Sequence, residues 1–165
     1  MEGNVTKTGP IEGITASTIE SVMPKFEGRI MQVPPIFSAL KRNGKRMYAA
    51  AREGKTAEDL KIEAREVEIY SISFNPVNDN GETYPCFGVD VECGGGTYIR
   101  SLIRDIGYEV NSCATMTSLV RTQQSQFSLE DALKKDDWNA SNIYLAINKS
   151  NNLLLNNTVQ EKDIK

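Results

Sequence analysis

The sequence predicts an α+β fold: a mixed, largely antiparallel sheet with helices packed on it. Three observations carry that expectation. Phe87-Gly88-Val89-Asp90-Val91-Glu92-Cys93 alternates apolar and polar residues, the period of a strand with one buried face. Beyond Gly94-Gly95-Gly96 the period changes, and Ile99, Leu102, Ile103 and Ile106 fall at i, i+3, i+4 and i+7, one stripe of a helix. Upstream, Val67, Ile69, Ile72 and Phe74 mark another strand, Ala64 to Phe74, and the turn-forming run Asn75 to Gly81 separates it from a strand at Tyr84 to Cys93, the pattern of a hairpin.

The remaining elements follow in order. Met1 to Gly13 is polar and reads as an opening loop. Thr15 is placed to cap a helix whose apolar stripe is Ile19, Val22, Met23 and Phe26, and Pro24 should bend or shorten it before Gly28. Pro34-Pro35 forbids a regular central strand, so Ile30 to Leu40 should be extended at an edge or along a groove. Arg46 to Arg52 reads as a short helix ended by Gly54. Gly107 is placed to end the helix after the glycine turn, although the apolar pattern runs on to Val110. Ser118 to Arg121 should form a strand, Ser128 should cap a helix through Leu133, and Asn142 to Ile147 should form a last helix before a loose tail. Residues 1–140 are expected to hold the main folded portion and 141–165 the final helix and tail.

Composition narrows the chemistry. The chain has 165 residues, 39% hydrophobic and 25% charged, which suits one soluble domain with a real core. No apolar run of membrane-spanning length and no signal-peptide pattern occur, so an intracellular protein with no membrane association is expected. Cys86, Cys93 and Cys113 lack metal spacing and read as reduced thiols. There is no histidine, which removes a Ser-His-Asp triad, a Cys-His pair and the common zinc sites. The net charge of −3 leaves room for a local basic patch. Lys41, Arg42, Lys45 and Arg46, with Arg52 and Lys55 close behind, form one. It reads either as a solvated face or as a phosphate-binding strip.

The strand–glycine turn–helix unit has two readings. It lacks both a Lys-Ser/Thr after the glycines and a GxGxxG pattern, so it carries no nucleotide fingerprint. Tyr98 and Arg100, in the first helical turn and off the apolar stripe, are either incidental or a site. An aromatic and a guanidinium at such a mouth can stack on a base and pair with a carboxylate or phosphate.

Three blocks in order give the site a resemblance. Gly95-Gly96-Thr97-Tyr98-Ile99-Arg100 resembles the Gly-Thr-Tyr-Ile-Arg motif of the TruB-type tRNA pseudouridine synthases. Gln32-Val33-Pro34-Pro35-Ile36-Phe37-Ser38-Ala39-Leu40-Lys41, followed by Gly44, Arg46, Tyr48, Ala51, Arg52 and Gly54, resembles a second block of that family. Leu119-Val120-Arg121-Thr122 with Phe127 resembles a third. Phe37, Val120 and Ser125 depart from the family's Tyr, Arg and Gly.

The resemblance implies a pseudouridine synthase-like catalytic domain that flips the T-loop uridine of tRNA into a cleft and isomerises it to pseudouridine, with no cofactor and no metal. It implies that Arg100 pairs with the nucleophilic aspartate and that Tyr98 packs against or hydrogen-bonds the uracil. Gly96, Thr97 and Leu119 would bind substrate, and Lys41, Arg42, Lys45, Arg46 and Arg52 would meet RNA phosphate. The family's Gly-x-Leu-Asp motif is absent from these residues, and neither Asp90 nor Asp105 is placed to replace it. The chain is therefore expected to be the C-terminal part of the catalytic domain, inactive alone. Its partners would be tRNA, with messenger RNA left open, and a missing N-terminal half. The alternative is a non-catalytic RNA-binding or RNA-folding remnant. Arg104, one turn beyond Arg100, is expected to tolerate a change to Lys that Arg100 would not. Oligomeric state is left open.

Overall fold

A computed structural model describes residues 5–38, 40–42, 45–55, 59–75 and 86–160, with backbone alone for 41–42, 45–46, 50 and 152–160. The chain forms two compact units, Met1–Thr117 and Ser118–Lys165.

The elements of the first unit are α1 (Ala16–Val22), β1 (Gly28–Gln32), β2 (Lys41–Arg42), β3 (Lys45–Arg46), α2 (Met47–Arg52), β4 (Arg65–Asn75), β5 (Gly88–Cys93) and α3 (Ile99–Glu109). Helix α1 opens as expected, with the Thr15 hydroxyl accepting from the Thr18 N–H at 3.2 Å. Pro24 cannot donate a helical hydrogen bond, and the chain tightens into a 3-10 turn over Met23–Phe26. Gly28, at φ +82°, then turns the chain into β1.

Strand β4 is the middle of a three-stranded antiparallel sheet in the order β1-β4-β5. Its inward residues are Val67, Ile69, Ile72 and Phe74. The gap of three between Ile69 and Ile72 is a β-bulge, where the register with β5 shifts. The expected hairpin is β4 and β5. Its turn run after Asn75 and the start of the expected strand at Tyr84 lie outside the described residues.

Helix α3 lies on the inner face of the sheet together with α1. Ile19, Val22, Met23, Phe26, Ile69, Ile72, Leu102, Ile103 and Ile106 form one core, and Leu102 and Ile106 are fully buried. Truncating either to Ala should cost about 2–5 kcal/mol. The outer face of the sheet exposes Glu66, Glu68, Asp90 and Glu92.

Gly107 does not end α3, which continues to Glu109 with Val110 as its cap. A Cβ on Gly107 would lie 2.3 Å from the Ala114 nitrogen, so the glycine serves the close return of the chain at 113–114. Beside it, the buried Ser112 hydroxyl donates to the Pro10 carbonyl at 2.6 Å and ties the opening loop to this return.

The second unit contains β6 (Gln123–Gln124), β7 (Phe127–Ser128) and α4 (Ala140–Gln160). No strand forms at Ser118–Arg121. Residues 118–122 are irregular, and Leu119 and Val120 are exposed rather than packed. Ser128 and Asp131 make a reciprocal capping box, but it opens only a 3-10 turn, Leu129–Asp131. The helix expected over 142–147 starts at Ala140 and runs to Gln160.

Candidate active site

The glycine turn is built from both sides. The Gly94 N–H donates to the Glu68 carbonyl at 2.8 Å, which fixes the end of β5 to β4. The Thr97 hydroxyl donates back to the Gly94 carbonyl at 2.9 Å and closes the turn. Gly96 takes φ +89°, the left-handed conformation that requires glycine; Gly94 and Gly95 have ordinary angles. Tyr98 is the N-cap of α3, with φ −101° and ψ 105°, one residue outside the helix proper. Its carbonyl accepts from the Leu102 N–H at 3.0 Å.

The segment Gln32 to Phe37 lies along the first turns of α3 and grips them. Both polar atoms of the buried Gln32 side chain bond the main chain of Tyr98: Oε1 accepts from its N–H at 2.8 Å, and Nε2 donates to its carbonyl at 3.2 Å. The Ser101 hydroxyl donates to the Val33 carbonyl at 2.8 Å. Arg100 is exposed, and its Nη2 donates to the Phe37 carbonyl at 2.8 Å. The two blocks set far apart in sequence, Gln32–Leu40 and Gly94–Arg104, are thus one structural unit.

Arg104, one turn further along α3, is partly buried. Its side chain is 31% exposed, its Nη2 donates to the Val33 carbonyl at 3.1 Å, and it pairs with Asp105 at 2.8 Å. Asp105 is committed to that pair. Asp90, on the outer face of β5, accepts from the Asn75 amide at 3.2 Å.

The basic run folds as a hairpin in which β2 pairs antiparallel with β3, Lys41 opposite Arg46 and Arg42 opposite Lys45. The Met47 N–H donates to the Leu40 carbonyl at 2.8 Å and carries the hairpin directly into α2. On α2, the Arg52 guanidinium lies 5.6 Å from the Tyr48 ring centroid and is exposed. Leu119 belongs to the second unit, where it is 54% exposed. That unit has its own shallow groove, lined by Arg121, Gln124, Phe127, Leu129 and Asp131 among others, and none of the expected substrate residues lines it.

Sequence reasoning missed Gln32 as a site residue. The signal was present: Gln32 stands two residues from Ile30, so a polar side chain occupies the inward phase of β1.

Residues 1–99 match the profile of the TruB family pseudouridylate synthase (N terminal domain). The chain belongs to the TruB family. Among its TruB relatives, the human pseudouridylate synthase TRUB1 is 46% identical over 142 residues, 86% of this chain and 39% of that protein. The tRNA pseudouridine synthase B of Nostoc sp. is 36% identical over 137 residues, 83% of this chain and 45% of that protein. The chain thus spans less than half the length of either. A crystal structure of a Cbf5-Nop10-Gar1 complex contains a chain that superposes with a TM-score of 0.55 at 27% identity, over 79% of this chain and 32% of that one.

Two points follow for the TruB reading. The α+β, pseudouridine synthase-like fold is the one expected. The placement of the chain in the C-terminal part of the catalytic domain is corrected, because the profile matched from residue 1 describes the family's N-terminal domain. No helix among the described residues is long and apolar enough to cross a membrane.

Proposed function

We propose that this chain carries one wall of the active site of an RNA pseudouridine synthase that isomerises the T-loop uridine of tRNA. The observation that supports this reading most is the joint mounting of Tyr98 and Arg100 at the mouth of the glycine turn by the Gln32–Phe37 segment. The target nucleotide flips out of its stack, at a cost of a few kcal/mol recovered from pocket contacts. An aspartate supplied from outside these 165 residues attacks the nucleoside, the N1–C1′ glycosidic bond breaks and the uracil turns; C5 then bonds C1′, the bond to the aspartate breaks so that it is regenerated, and the C5 hydrogen leaves as a proton while N1 gains one.

Arg100 exchanges its Phe37 carbonyl partner for that aspartate and holds it ionised and aimed through charge-assisted hydrogen bonds. Tyr98 packs against the uracil. Gly96 and Thr97 line the substrate side. Lys41, Arg42, Lys45, Arg46 and Arg52 meet phosphate. The hairpin register supports this last point, since Lys41 stands opposite Arg46 and Arg42 opposite Lys45, which brings four basic positions together.

The test is single-turnover conversion of a T-loop stem RNA by the intact protein that contains these residues. Conversion that depends on Arg100 supports the reading. RNA binding without any conversion supports the alternative, a non-catalytic RNA-binding remnant.

A further inference from the structure

Gln32 is 1% exposed and sits at the end of β1, on the face that covers the core. A buried amide is costly unless its donor and acceptor are both used. Here both are used on a single residue, and on its main chain only. The Tyr98 N–H and carbonyl are held at 2.8 and 3.2 Å, as a neighbouring strand would hold them. No side-chain bond from Tyr98 caps α3, so its backbone is set from the side by Gln32. Whatever turns Tyr98 about its backbone turns the Tyr98 ring and the approach to Arg100 with it.

We infer that Gln32 is a positioning residue of this site. It touches no substrate atom; through the main chain of Tyr98 it fixes the direction in which the Tyr98 ring and the Arg100 guanidinium face the flipped base. The inference rests on the pseudouridine synthase reading above. The chemistry of the side chain makes it testable. Methionine fills the same volume and supplies neither bond. A neutral glutamic acid can supply both, accepting through its carbonyl oxygen and donating through its hydroxyl. An ionised glutamate sets an oxygen against the Tyr98 carbonyl.

The experiment uses the intact protein with Gln32→Met, Gln32→Glu and, as control, Ser38→Ala. Ser38 is buried in the same segment but donates to the Met47 sulfur and not to the glycine-turn motif. Thermal melting establishes that each variant is folded. Amide hydrogen exchange at Tyr98, single-turnover conversion of a T-loop stem RNA, and affinity for that RNA are then measured.

Gln32→Met should speed exchange at Tyr98 at least ~10-fold, with Ile106 unchanged. It should slow conversion at least ~30-fold while RNA affinity stays within about 3-fold. The Gln32→Glu rate, relative to the unsubstituted protein, should fall as pH rises through the titration of the new carboxyl. Ser38→Ala should leave both Tyr98 exchange and conversion unchanged. A folded Gln32→Met variant that converts RNA at the full rate overturns the inference, as does unchanged exchange at Tyr98. If the unsubstituted protein converts no uridine, the functional reading fails, and the exchange at Tyr98 still decides whether Gln32 fixes that residue.

Discussion

Arg100 and Arg104 lie one turn apart on α3 and carry the same side chain, yet the structure gives them different work. Arg100 is exposed and makes one bond to a carbonyl, so its guanidinium is free to trade partners. Arg104 is half-buried between the Val33 carbonyl and Asp105. In the intact protein Arg100→Lys should preserve folding and RNA affinity but slow the chemical step at least ~100-fold, about 2.7 kcal/mol of transition-state stabilisation, because lysine cannot copy the planar fork. Arg104→Met should instead lower stability by about 1–2 kcal/mol in a denaturant titration, through a lost hydrogen bond and an unpaired Asp105. Gly107→Ala should be more damaging than its size suggests, about 1–3 kcal/mol in the same titration, since the new methyl meets backbone at 2.3 Å. The importance of Gly107 could be read in the sequence, but not its reason. A glycine near a helix end suggests a cap, and only the returning chain reveals a contact 7 residues further on at Ala114. Gln32 is a similar case: a polar residue in the inward phase of β1 could be read in the sequence, but not its two partners, main-chain atoms of a residue 66 positions away.

At the scale of elements, the apolar stripe of α3 and the capped α1 were legible because each is decided by its own residues. The strand expected at Ser118–Arg121 was not, because Leu119 and Val120 give a strand-like signal but a strand needs a neighbour to bond. The β2–β3 hairpin carries a prediction. Changing Lys41, Arg42, Lys45 and Arg46 together to Ala should weaken RNA binding and flatten its dependence on salt, similarly for cognate and unrelated RNA. Unchanged affinity and slope, measured by titration at several salt concentrations, would mark the strip as a solvated face.

A second element-scale prediction concerns Asp131, which joins its 3-10 turn to α4. Its carboxylate accepts from Lys149 at 2.7 Å and from the Ser128 N–H at 2.9 Å, and these bonds, Lys149 first, lower its pKa from 3.8 to about 2. The folded value lies below the ordinary one, so the stabilisation is present in full above pH 3.8 and is lost as pH falls toward 2. Acid titration followed by amide exchange in residues 128–149 should show this loss, and Lys149→Met should remove most of it.

On the scale of the whole molecule, the charge is segregated. The outer face of the sheet exposes Glu66, Glu68, Asp90 and Glu92, while Lys41, Arg42, Lys45, Arg46 and Arg52 fall close together in the sequence, so a chain of net charge −3 still concentrates cations in one stretch. The family was legible from three ordered blocks, and the structure explains two of them as a single unit held by Gln32, Ser101 and Arg100. These 165 residues on their own should form no pseudouridine in a single-turnover assay, because the nucleophile of the proposed chemistry lies outside them; clear turnover would place it within. The bulge in β4 has a consequence for how such a chain finds its shape. In an evenly alternating strand a slip of two residues leaves every side chain on its proper face, and the error costs little. Here Gly28 and Ile30 must meet Ile69 and Val67 on one side of the bulge, while Val91 and Val89 must meet Ile72 and Phe74 on the other. A slip of one residue turns Glu68 or Ser73 inward, and a slip of two moves the bulge away from the place where β5 accommodates it. The irregularity works as a vernier: two scales of unequal spacing agree at one setting, and the sheet can close only there.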